Sequence, residues 1–76
     1  MPPKLPRISG EQTVRALQRL NFVVVRQRGS HVILKKQVHG EEIGCVVPLH
    51  HELAVGTLRS IFRQARVTSE EFLENV

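Results

Sequence analysis

Two glycines, Gly29 and Gly40, divide residues 22–48 into three short runs, and that punctuation limits what the chain can fold into. FVVVRQ, residues 22–27, is β-branched. SHVILKK, residues 30–36, alternates apolar and polar positions, and IGCVVP, residues 43–48, ends on Pro48. Runs of this kind joined by tight glycine turns read as a meander of three antiparallel strands. A sheet this small must bury one face against something else, so the flanking residues have to supply helices.

They do. Ser9 followed by Gln12 is a capping box, and Val14, Leu17 and Leu20, with Ala16 beside them, recur at helical spacing over residues 10–20. Arg15 and Arg19 share the exposed side of that helix, and Asn21 closes it. After a loop, LHHELAVG, the residues Leu58, Ile61, Phe62 and Ala65 predict a second helix over 57–65. Thr68 or Ser69 ahead of Glu70 and Glu71 opens a short third helix with Phe72 and Leu73 as its apolar contacts. The three prolines of MPPKLPR make residues 1–7 an extended arm. The expected fold is α+β, ordered α-β-β-β-α with a short C-terminal helix. It is one domain over residues 1–76, its three-stranded antiparallel sheet covered by helices on one face.

Composition narrows the function. A 76-residue chain buries only about 60% of the surface its unfolded form exposes. No apolar run approaches the roughly 18 residues of a membrane span, and no basic-then-apolar leader is present, so no membrane association is expected. Cys45 is the single cysteine, which fits a reducing, cytoplasmic setting. Charge is uneven: residues 1–36 carry eight basic groups and one acid, residues 37–76 three basic groups and six acids. Such a distribution suits a polyanion on one face, and uneven charge is also common among small domains. Phe22, Phe62 and Phe72 are the only aromatics and all sit in apolar patterns. Contact with a nucleic acid would therefore run through phosphates, 2′-hydroxyls and backbone geometry rather than stacked bases.

The basic half converges on RQRGSHVILKK, residues 26–36. Strand alternation puts His31, Ile33 and Lys35 on one face and Ser30, Val32, Leu34 and Lys36 on the other. A histidine beside a turn is often an ordinary exposed residue. Set near Arg26, Arg28 and Lys35, it stands where a phosphate would be held, and an imidazole can give or take a proton near neutrality. Gly29 serves a positive φ or a close approach of RNA backbone. Ser30 caps the turn or contacts a phosphate. Lys36, on the opposite face, is a phosphate contact or a solvated lysine. His39, His50, His51 and Glu52 do not assemble a four-ligand site, so neither a metal nor any other cofactor is expected.

Four segments together resemble a known family: ALQRLNF at 16–22, RQRGSHVIL at 26–34, VVPLHHE at 46–52 and GTLRSIFRQARVTSEEFL at 56–73. In this order and spacing they are similar to the HicA toxins, the YcfA-like mRNA interferases of toxin–antitoxin pairs. The resemblance covers nearly all of residues 8–74. It implies the fold of double-stranded RNA-binding domains, with His31 as the catalytic residue of an endoribonuclease that inhibits translation by cleaving mRNA. Pro48 and His50 match the family's Pro-x-His, which marks His50 as a possible secondary site or a loop-holding residue. It also implies a HicB-like antitoxin, encoded by the adjacent gene, that covers the active face. Asn21 and Arg66 stand at helix exits where the family commonly has glycine.

Two rival readings remain. A non-catalytic RNA-binding module of the same fold would keep the basic face and need no placed histidine. A protein-interaction domain would use that face for an acidic partner alone.

Overall fold

The computed structural model describes residues 5–76, so the first four residues of the expected arm lie outside the described residues. The elements run α1 (Gly10–Arg19), β1 (Val23–Arg28), β2 (His31–Val38), β3 (Glu41–Pro48), α2 (Val55–Ala65) and α3 (Ser69–Asn75). The α+β order expected from the sequence is therefore observed. Each strand boundary lies within two residues of its apolar run, and α2 begins two residues earlier than its periodicity predicts.

Local chemistry explains the elements. At the start of α1 the Ser9 hydroxyl accepts from the Gln12 amide at 3.1 Å, and the Gln12 side chain accepts from the Ser9 amide at 2.8 Å. Thr13, the one buried polar residue among those described, donates its hydroxyl to the Ser9 carbonyl at 2.9 Å. Thr68 and Glu71 form the same reciprocal box at α3. Both helix exits that lack glycine still take the left-handed conformation, with φ 74° at Asn21 and 56° at Arg66. Asn tolerates that region, whereas Arg66 adopts it against its Cβ while its guanidinium holds Glu41 through contacts of 2.8 and 3.0 Å.

The sheet order is β1-β2-β3, all antiparallel, with β2 central. Val32 and Leu34 of β2 and Ile43, Cys45 and Val47 of β3 face Leu17, Leu58, Ile61, Phe62 and Phe72 in one core. Burial pushes the Cys45 thiol up to about 11, so it packs as a small apolar group and not as a nucleophile. The rings of Phe62 and Phe72 lie 4.7 Å apart at 44°, joining α2 to α3. Cover by the helices is less complete than expected. All six residues of β1 are exposed: α1 packs against α3 and β3 and leaves the helix side of the first strand open, while its other side faces away from the helices. Among the described residues no helix is long and apolar enough to cross a membrane.

Candidate active site

His31 is exposed and begins β2, where it pairs with Arg28 of β1 on one side and Pro48 of β3 on the other. The next row on the same face is Arg26, Ile33 and Val46, and the row beyond is Val23, Lys35 and Gly44. This is the face away from the helices. It brings Arg26, Arg28, His31 and Lys35 together, of which the alternation of β2 predicts His31 and Lys35.

The arginines reach that face by a device that alternation alone does not contain. The ladder passes from Val24 opposite Leu34 directly to Arg26 opposite Ile33, so Val25 is an extra residue in a β-bulge. Without the bulge, strict alternation from Val24 would send Arg26 and Arg28 to the helix side. One added residue reverses every later side chain of the strand. Val25 joins Val23 beside Lys35 and Glu42 in a shallow depression, while Arg26 and Arg28 come to the face that carries His31.

The turn that presents His31 is held at both carbonyls. Gly29 has φ 57°, and no heavy atom lies within 4 Å of where its Cβ would be. Conformation, not crowding within the fold, accounts for that glycine. The Gly29 carbonyl accepts from the Gln27 side chain at 3.0 Å, and the Ser30 carbonyl accepts from the Leu49 amide at 2.7 Å. Ser30 is exposed, and the fold uses its carbonyl where the sequence pointed to its hydroxyl.

His50 is exposed in the loop that follows β3, two residues beyond Pro48. Its carbonyl accepts from the Gly10 amide at 2.8 Å, and Leu53 donates to the Ile8 carbonyl at 2.8 Å. A methyl group on Gly10 would overlap the Pro48 carbonyl. The start of α1 thus clamps the loop beside His31, and the backbone of His50 is part of that clamp.

The lysines separate. Lys35 shares the open face and holds Glu42 at 2.9 Å, an exposed pair that a phosphate can open at small cost. Lys36 lies on the central strand facing the helices, with Nζ 5.6 Å from the centre of the Phe22 ring. Its expected place among the phosphate contacts is not supported by this geometry, because the sheet separates it from His31. Arg15 pairs with Glu11 at 3.5 Å, and Arg19 donates to the Asn75 carbonyl at 2.6 Å, so both helix arginines serve the fold's own contacts.

A family model described as the HicA toxin of bacterial toxin–antitoxin systems matches residues 10–67. The chain belongs to the HicA toxin family. No curated protein matches it. The family match takes in α1 through α2, and so the whole open face of this HicA toxin, its bulge and the clamped loop. The third helix, α3, lies beyond the matched residues. As a toxin of this class the protein functions beside an antitoxin.

Proposed function

We propose that this HicA toxin is an endoribonuclease that cleaves mRNA, with His31 as its proton-transfer residue. The observation that carries the reading is the position of His31 on the open face, directly opposite Arg28 and one row from Arg26. RNA brings its own nucleophile. The ribose 2′-oxygen attacks the adjacent phosphorus, the bond from phosphorus to the 5′-oxygen breaks, and the fragments carry a 2′,3′-cyclic phosphate and a 5′-hydroxyl. One proton leaves the 2′-OH and one reaches the departing 5′-oxygen; His31 moves one of them. Arg26 and Arg28 offer fixed positive charge to the phosphorane oxygens, the electrostatic share of the catalysis. Lys35 extends the phosphate track, and Gly29 and Ser30 let RNA backbone approach the turn. His50 supports the site through its loop. The scheme is independent of metal. A HicB-like antitoxin is the expected partner, and the cytoplasm the expected place of action.

The test incubates purified protein with mixed-sequence RNA in excess EDTA, beside His31→Ala. Cleavage by the parent to cyclic-phosphate ends, lost in the variant and lost when the 2′-OH is replaced by hydrogen, is the expected result. Fragments with 3′-hydroxyl and 5′-phosphate ends would refute the mechanism. RNA binding without any cleavage would favour the non-catalytic module.

A further inference from the structure

A strand with a free edge usually carries some protection, yet β1 presents Val23, Val24 and Val25 at 62, 37 and 51% exposure. Among the described residues no strand lies beyond it. Its guards are the bulge at Val25 and the charges of Arg26 and Arg28, and the ladder is regular from Arg26 to Arg28.

Both sides of that edge are hollow. On the helix side a cleft of about 340 Å³ runs between α1 and β1, floored by Val14, Val24, Val32 and Leu49. Its rim charges, Glu11 and Arg15, are already paired. The cleft is open to solvent, and its valines and Leu49 offer an apolar surface on which side chains of an added strand can pack. On the open side the edge is basic, with Arg26 and Arg28 in the regular part of the strand.

We infer that the β1 edge of this toxin is a docking site for an extended, acid-bearing segment of a partner protein, added to the sheet as a fourth strand. Main-chain hydrogen bonds to β1 would supply affinity. Alternate side chains of the incoming strand would divide between the two faces, apolar ones into the α1–β1 cleft and carboxylates beside Arg26 and Arg28. A second copy of the chain is a poorer occupant. Antiparallel pairing of two β1 strands would gather four arginines on one sheet face, and like charges placed close across a sheet are destabilising. The antitoxin of the pair is the natural owner of such a segment. That attribution rests on the family membership and not on RNA cleavage, so the two can fail separately.

The probe is a capped peptide alternating glutamate and valine over eight residues, with a lysine–valine peptide of the same length beside it. Both are titrated to millimolar concentration into the full isotope-labelled chain without RNA. Slowed amide exchange along residues 23–28, with methyl shifts at Val14 and Leu49, is the result expected of the glutamate peptide. Val24→Asp should weaken that binding by about tenfold or more, as for a central contact of an interface, and should leave RNA cleavage unchanged. Any of four results would overturn the inference: no perturbation at millimolar peptide, shifts confined to Ile33 and Val46, equal binding of the lysine peptide, or protection of β1 in the free chain through dimerisation.

Discussion

Arg28 and His31 stand directly opposite one another across the first hairpin, separated in sequence only by Gly29 and Ser30. The left-handed Gly29 closes the turn, and the bulge at Val25 determines that the arginine faces the histidine. The guanidinium is always charged and the imidazole is not, so the pair combines a fixed cation with a group able to exchange protons.

Neutralising Arg26 and Arg28 should weaken RNA binding and flatten its salt dependence. Each phosphate that the protein no longer neutralises should lower the slope of log affinity against log salt by roughly 0.7–0.9. Lys36→Ala, on the helix side of the sheet, should leave the slope where it was. Fluorescence titrations at several salt concentrations separate the two classes. A slope that responds to Lys36 and ignores both arginines would place the RNA on the other face.

His31→Ala should separate catalysis from folding. The residue is exposed, and surface substitutions usually change stability by no more than about 0.5 kcal/mol. The variant should melt near the parent, retain RNA binding, and lose about 10²–10⁴-fold in cleavage rate, as expected for a general acid or base. Thermal melts and initial rates on the two proteins check it. Activity lost only in proportion to unfolding would make His31 a structural residue.

The period-2 pattern of SHVILKK by itself assigns His31 and Lys35 to one face and Lys36 to the other, because β2 is central and its burial follows its alternation. β1 is less legible. Its three valines suggest a covered strand, yet Val23 and Val25 lie on the face away from the helices and α1 leaves Val24 exposed, since helix placement depends on packing against α3 and β3 that no local pattern encodes. The bulge is hidden for a similar reason: FVVVRQ shows a strand but not which of its residues is extra. One trace exists. Arg26 and Arg28 cannot share a face with Val24 excluded unless the valine run contains an odd residue. The clamp at Gly10 is also tertiary, visible only where the helix start meets the Pro48 carbonyl.

Acid should loosen the C-terminal helix. The Thr68 backbone and hydroxyl, hydrogen-bonded to Glu71, hold its carboxyl below its usual 4.5, with Lys36 adding to the effect. Arg66 lowers Glu41 in the same direction. A depressed carboxylate stabilises the fold above its unfolded pKa and loses that contribution as pH falls through the folded value. Melting temperature should therefore fall below about pH 4.5. Glu71→Gln keeps the capping geometry without the titration. It should melt below the parent at pH 7 and converge with it at an acid pH low enough to protonate the folded carboxylate as well. Parallel curves at the two pH values would show that the box contributes no linkage.

The third helix lies outside the family match, yet its Phe72 is fully buried against Phe62. Truncating a buried Phe to Ala typically costs about 3–5 kcal/mol. At roughly 0.05–0.15 kcal/mol per residue, a chain of 76 residues has a total stability of about 4–11 kcal/mol, of which this loss is a large share. Phe72→Ala should consequently populate the unfolded state without denaturant, and removal of residues after Val67 should do so more fully. Phe72→Leu, which refills most of the space, should remain folded with a lower urea midpoint. Urea titrations followed by far-ultraviolet circular dichroism distinguish these outcomes. A chain ending at Val67 that unfolds cooperatively at the parent's midpoint would show that α3 is an appendage. The buried ring predicts the opposite: the matched residues need α3 to complete the core that carries the His31 sheet.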